Sequence, residues 1–430
     1  MTKSIARVFA LLTLSFVALA TLSPAQAAVV KVNSVCKAVG AKAKASNGTN
    51  LICTKVGSKL IWKKVTVVAP AVVTIGLSVS KSGALQKTGE EVANGYQLWA
   101  DTVNSQGGLL GRKIKLIIYD DKSDPSEGVR LYTKLVTEDK VDMVLGPFSS
   151  SVTAPVAAYL DRMGYPLVTG GASAASIWTN GYTNVFGIYP SGKAGNEALF
   201  EVAKGLGMKT IAIVNEASPF GRDIGLSGAA LAEKNGLKIV LREEFPPNST
   251  DFSGLAIKLK QLDPDFLLAG TYYDQSTILA QAIASIGIKF SMFAETIGPE
   301  SKDFIQAVGA GSEGLFGITF WSSTVKAPGN AEFFAAYKKS YFKEPIYQAA
   351  MAYSAGEVLQ AAIVRAKSFD RVLVRDVLGG FTVSTITGVY KVDQTGFQVG
   401  KQSFITQVQN GKAIIVYPKA YAEGTAKLGK

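Results

Sequence analysis

Val72-Val73-Thr74-Ile75-Gly76-Leu77-Ser78-Val79 is followed by Val92, Tyr96, Trp99, Ala100 and Val103, then by Gly107-Gly108 and by the run Ile114–Tyr119. The first run is apolar and β-branched, as a buried strand requires, and the five spaced residues share one helical face. The glycine pair stops that helix and the second run opens a new strand. The unit is therefore strand, helix, strand. It repeats at once: Asp124-Pro125-Ser126 enters a helix striped by Val129, Tyr132, Leu135 and Val136, and Met143–Gly146 is the next strand. Pro166–Thr169, Ile211–Asn215, Leu237–Leu241, Phe266–Ala269 and Leu315–Phe320 continue the series. Strands alternating with helices of this length predict an α/β fold with parallel, doubly wound sheets covered on both faces.

This body, residues 71–430, is 360 residues long, more than one core usually holds. The alternation restarts at Lys209-Thr210-Ile211 after the turn-rich Tyr189-Pro190-Ser191-Gly192, which predicts two α/β lobes. Beyond Trp321 long helices are expected at 331–341 and 348–367. Short β runs follow near 386–393, 402–408 and 412–417, separated by turn residues Gly396, Gly400 and Asn410-Gly411.

The 430-residue chain carries a formal charge of +12, from 45 basic and 33 acidic residues. Ten of the basic residues fall in the first 70 positions, which contain no acid, so the body keeps 35 against 33 and is nearly neutral. A nucleic-acid binder would place basic and stacking residues on its main domain, so nucleic acid is not expected as a partner. Lys3 and Arg7, the apolar run Val8–Leu22, Pro24 and Ala25-Gln26-Ala27-Ala28 read as a signal peptide over residues 1–28, cleaved near Ala27-Ala28. Cys36 follows Asn33-Ser34-Val35 and lacks the small apolar triplet of a lipid-attachment site. In an exported chain Cys36 and Cys53 are expected to pair, stapling a lysine-rich module over residues 29–70 that is too small to hold a core alone. Leu51–Val56, Gly57-Ser58 and Lys59–Trp62 read as its hairpin. Residues 64–71, with Pro70, read as a linker.

The sequence has no histidine. That excludes Ser-His-Asp and Cys-His nucleophiles, a histidine general base and imidazole-bound zinc. No nucleotide-binding or esterase motif occurs, and no cofactor is expected. Ser78-Val79-Ser80-Lys81 with Lys87-Thr88-Gly89 mimics part of a serine β-lactamase signature at far too short a spacing. Asp120-Asp121 reads as turn and cap residues, not as a metal site. The better candidates lie at two strand ends, where doubly wound sheets bind ligands. One is Pro147-Phe148-Ser149-Ser150-Ser151, with Pro155 suited to the first turn of the helix that follows. The other is Thr169-Gly170-Gly171-Ala172-Ser173. Between Met143 and Gly192 the only charged residues are Asp161 and Arg162. Hydroxyls and helix N-terminal amides on such a surface can hold a carboxylate without a salt bridge.

Ile75-Gly76-Leu77, Ser82-Gly83, Gly95, Gly107-Gly108-Leu109-Leu110-Gly111-Arg112-Lys113-Ile114 and Tyr119-Asp120-Asp121 with Asp124-Pro125 resemble the leucine/isoleucine/valine-type solute-binding proteins of ABC transporters. The resemblance continues through Gly146–Pro155, Ile211–Asn215 with Phe220-Gly221, Asp251-Phe252, Asp265-Phe266 and Glu313-Gly314-Leu315, and covers residues 72–420. It implies a type I periplasmic-binding-protein fold: two lobes and a three-segment hinge, with lobe 1 over 71–190, lobe 2 over 191–320, a return to lobe 1 over 321–385, and lobe 2 with the tail over 386–430. It further implies an exported, monomeric, non-enzymatic protein that captures an amino acid or amide for an ABC permease. Ser150, beside Ser149, would meet the solute carboxylate with Gly171 and Ser173. Phe220 would cover the ligand, standing where tyrosine is common, and Tyr272 would join it. Glu295 or Asp274 would meet an ammonium. Thr88 stands where an aromatic often lies, and Trp321 would wall the pocket or pack the hinge. A ligand sensor signalling to a membrane receptor and an envelope hydrolase are the alternative functions.

Overall fold

The structure, a computed structural model, describes residues 30–65 and 72–429. The signal segment, its cleavage point and most of the linker lie outside the described residues. The chain divides into two compact units between Ala69 and Pro70.

In the first unit β1 (Lys42–Lys44), β2 (Asn50–Val56) and β3 (Lys59–Lys64) form an antiparallel sheet in that order. Gly57, at φ 60°, makes the tight β2–β3 turn. β2 alternates as expected and turns Leu51 and Cys53 inward. Cys53 is bonded to Cys36, and closing that loop contributes roughly 3 kcal/mol on a chain-entropy view. β1 carries two exposed lysines and has too little apolar character to be read from sequence.

The second unit opens with β4 (Val72–Val79), α1 (Gln86–Ser105), β5 (Lys113–Asp120), α2 (Pro125–Thr137), β6 (Met143–Leu145), α3 (Ser150–Arg162), β7 (Leu167–Thr169) and β8 (Val185–Gly187). These strands form a wholly parallel sheet in the order β5-β4-β6-β7-β8. There follow α4 (Gly192–Gly205), β9 (Thr210–Glu216), α5 (Pro219–Lys234), β10 (Lys238–Phe245), α6 (Ser253–Leu262), β11 (Phe266–Gly270), α7 (Tyr273–Ser285), β12 (Met292–Glu295), α8 (Lys302–Val308) and β13 (Phe316–Thr319). Their strands run β10-β9-β11-β12-β13, also parallel. The second sheet thus repeats the order of the first, and each has its topological switch beside its first strand.

Then α9 (Asn330–Tyr341), α10 (Tyr347–Ala366) and α11 (Arg371–Gly380) precede the hairpin β14 (Val383–Thr385) and β15 (Gly388–Tyr390). β16 (Phe404–Gln409) and β17 (Lys412–Tyr417) close the second sheet as antiparallel edge strands. α10 lies hard against α1: a Cβ on Gly95 would fall 2.1 Å from the Ala349 carbonyl, and one on Gly356 would fall 2.2 Å from Trp99. Only glycine permits that approach.

Sequence reading puts the third passage between lobes at Thr385–Ile386, but the chain makes it later. Thr385 and Gly388 pair across a hairpin turn, with Gly388 at φ 98°, and Tyr390 donates to the Leu378 carbonyl at 2.9 Å. The hairpin therefore stays with α10 and α11, and the second sheet is rejoined only at β16. Pro155 also lies further into its helix than expected. α3 begins at Ser150 because the Ser149 hydroxyl accepts from the Val152 amide at 3.3 Å and caps it there.

Candidate functional site

The two serine-rich strand ends are joined by backbone as well as by side chains. Beyond β6 and β7, Phe148 and Gly171 form a parallel bridge, and the Ser149 amide donates to the Gly171 carbonyl at 3.2 Å. Ser149 sits at φ 76°, a left-handed conformation that the bridge and the helix cap hold in place. The Ser150 hydroxyl accepts from the amides of Ser173 and Ala174 at 3.3 and 3.2 Å. With its oxygen so occupied, it keeps its own proton to donate. The amides of the first turn of α3 have no partner inside the helix. Behind the loop, Tyr96 donates to the Gly146 carbonyl at 2.9 Å, and a Cβ on Gly170 would lie 1.7 Å from that hydroxyl.

This loop faces the second lobe across a narrow cavity that leaves about 30 Å³ for the centres of water-sized molecules. Ser150, Gly171, Ser173, Phe220 and Tyr272 all line it. Phe220 comes from the first turn of α5, capped by the Ser218 hydroxyl at 3.1 Å from the Gly221 amide. The Tyr272 ring packs 5.0 Å from Phe220 and 5.9 Å, edge-on, from Phe148 of the opposite lobe. At the passages between lobes Tyr189, Phe320 and Tyr347 form a second aromatic group, with centroids 5.4 to 6.2 Å apart. Ile224, Thr296, Ile297 and Ile318 also contribute. Among the described residues no charged side chain lines this cavity.

Several expected residues stand elsewhere. Ser149 acts as the helix cap. Glu295 is fully buried at the end of β12 and does not line the cavity; Thr296 and Ile297 do. Neither Glu295 oxygen has a hydrogen-bond partner among the described residues. Burial, reinforced by the Glu300 carboxyl, pushes its pKa well above the carboxylate range. Held inside the sheet, this carboxyl is not presented to the cavity. Asp274, half-buried in α7, is raised by burial and drawn down by Lys87, and it too is off the cavity. Thr88 is buried in α1. Trp321 packs against Phe333 and donates to Asn330 Oδ1 at 2.6 Å, away from the cavity. Ser78 and Ser80 donate to the buried Asp121 carboxylate at 2.8 and 2.7 Å, so the β-lactamase-like stretch is a structural network. Asp120 accepts from the amides of Lys81 and Lys122, as a turn residue should.

Two further carboxyls approach the cavity from behind. Burial pushes Glu216 up to about 7, against a hydrogen bond from Ser218. Asp223 is raised by burial, against the amides of Ala175 and Gly192, and its Oδ2 has no hydrogen-bond partner among the described residues. Across the cleft rim, Lys87 of α1 meets Asp303 of α8 at 3.1 Å and Tyr273 Oη at 2.9 Å, so the lobes are closed on each other.

The pattern that defines the periplasmic binding proteins matches residues 72–413. A Leu/Ile/Val-binding protein of Rhizobium johnstonii is 27% identical over 369 residues, covering 80% of this chain and 94% of that one. Among solved structures, the branched-chain amino acid transporter substrate-binding protein of Streptococcus pneumoniae in complex with isoleucine superposes with a TM-score of 0.73. It is 26% identical and covers 81% of this chain and all (100%) of that one. A solute-binding protein of R. palustris in complex with benzoate has a TM-score of 0.72 at 21% identity, covering 84% of this chain and 99% of that one; it attests the fold alone.

Proposed function

The chain belongs to the periplasmic binding proteins, and from that premise we propose that it captures an amino-acid-like solute between its lobes and delivers it to an ABC importer. The observation that carries this reading is the Ser150 hydroxyl, tied to the Ser173 and Ala174 amides and facing the closed cavity at the N-terminus of α3. Hydroxyl and amide donors at the positive end of a helix suit a solute carboxylate. The solute first meets this wall in the open form. Hinge rotation then brings Phe220 and Tyr272 over it, and contacts made only on closure shift the population to the closed form. The relatives' names, which specify leucine, isoleucine and valine, support a solute of that size.

The closed form docks on a membrane permease as a monomer. No bond of the solute is broken, in keeping with a family of binding proteins and a sequence without histidine. Residues 1–28 direct export and are removed, which places the protein in the cell envelope or outside it. Among the described residues no helix is long and apolar enough to cross a membrane. Calorimetry of a small-carboxylate panel against wild type and Ser150→Ala tests the reading. Loss of binding in the variant supports it; equal affinity in both removes Ser150 from the solute site.

A further inference from the structure

The first compact unit carries eight lysines and no acidic residue over residues 30–65, and all eight lysines are exposed. Its sheet has two unlike faces. Strand side chains alternate between faces, and Leu51 and Cys53 share the buried one, where Cys53 is bonded to Cys36. On the other face Lys42, Ile52 and Lys63 stand side by side across the three strands, Lys59 is opposite Val56, and Lys44 is opposite Asn50. The segment before Cys36 extends that face along the outer edge of β3. Val35 bridges Ile61 there, and Lys63 Nζ donates to Asn33 Oδ1 at 3.0 Å. Four lysines thus surround a small apolar centre. This face is not a covered core: Val35 is 76% and Val56 48% exposed, and Ile52 and Ile61 are only partly buried. Like charges gathered on one face repel one another, and an anionic surface laid over them relieves that repulsion.

We propose that this face docks on an anionic lipid surface, with its four lysines against the lipid phosphates and its valines and isoleucines in the interfacial layer. Each lysine near such a surface adds attraction, and buried apolar area adds to it. A soluble polyanion would use the lysines alone and leave Val35, Val56 and the two isoleucines in water. The disulfide and the strand pairing hold the lysines on one face before binding, which reduces the ordering cost. The body keeps 35 basic against 33 acidic residues, so the attraction is concentrated in this unit. The proposal rests on export as read above, and it keeps the protein at the membrane in which a permease lies.

The test is sedimentation of the mature full-length protein, disulfide intact, with vesicles of phosphatidylcholine alone or with about one-third phosphatidylglycerol. Binding to the anionic vesicles only, weakening as salt rises, is the expected result; no binding to them, or equal binding to both kinds, overturns the proposal. The variant Lys42→Gln/Lys44→Gln/Lys59→Gln/Lys63→Gln should bind at least about thirtyfold more weakly. The same change at four exposed lysines of the body, Lys140, Lys209, Lys234 and Lys289, should cost less than about threefold. Equal losses in the two variants mean that net charge acts and this face does not, and overturn the proposal. Val35→Asn should weaken vesicle binding about threefold with the melting temperature unchanged. Unchanged vesicle binding in that variant, or capture by immobilised polyphosphate with none by the vesicles, assigns the face to a soluble polyanion and overturns the lipid surface. No solute enters these measurements, so their failure leaves the solute site standing, and calorimetry of Ser150→Ala judges that site independently.

Discussion

The two walls of the cleft are built on sheets of the same strand order, yet they do different work. The first wall, from the ends of β6 and β7, offers hydroxyls and backbone amides: Ser150, Gly171 and Ser173, braced by the Phe148–Gly171 bridge. The second, from α5, α7, β12 and β13, offers Phe220, Ile224, Tyr272, Ile297 and Ile318, and keeps Glu216 and Glu295 buried behind its surface. Equal topology therefore does not mean equal roles. One wall presents directional donors; the other presents apolar side chains, with its acids behind the surface.

The largest expected contrast is in stability. Glu216 titrates at about 7 when folded and near 4.5 when unfolded. The folded state thus holds that proton more tightly. The associated stability is complete below pH 4.5 and is lost as pH rises through 7, on the order of 3 kcal/mol in all. Denaturation of Glu216→Gln across that range should show a flatter pH profile than wild type; parallel profiles would break the assignment. On the first wall, Ser150→Ala should cost about 2 kcal/mol of solute affinity, roughly thirtyfold, and should also lower the melting temperature, because it strands the Ser173 and Ala174 amides. On the second, Phe220→Ala should cost about 1 kcal/mol, mostly as faster dissociation in stopped flow, since closure follows capture. A larger loss there than at Ser150 would reverse the roles of the walls. Smallest of all, Glu295→Gln should leave solute affinity within about twofold, because the residue does not reach the cavity.

The α/β alternation was legible because buried parallel strands such as Val72–Val79 are apolar throughout and their helices carry clear stripes. β8 and β12, of three and four residues, were not among the strands read, and length is not the reason, since β6 and β7 are as short and were read. Ser150, Gly171 and Ser173 could be named as candidates because each follows a strand end, whereas Phe220 and Tyr272 came from the family resemblance. Tyr189 and Tyr347 could not: they converge from positions far apart in the chain, and nothing local marks either one. Ile297 was missed for the opposite reason. An acid at a strand end reads as a candidate whether it points into the cleft or under the sheet, so Glu295 drew attention that belonged two residues on.

The contact between Lys87 and Asp303 involves only protein groups, with side chains 45% and 64% exposed. So exposed a pair contributes little, up to about 1 kcal/mol, and is screened by salt. It nonetheless ties the lobes together whatever the solute. Raising ionic strength should therefore weaken capture even of a solute with no net charge, and a salt dependence of affinity would report on the grip of the two lobes as well as on the charge of the cargo.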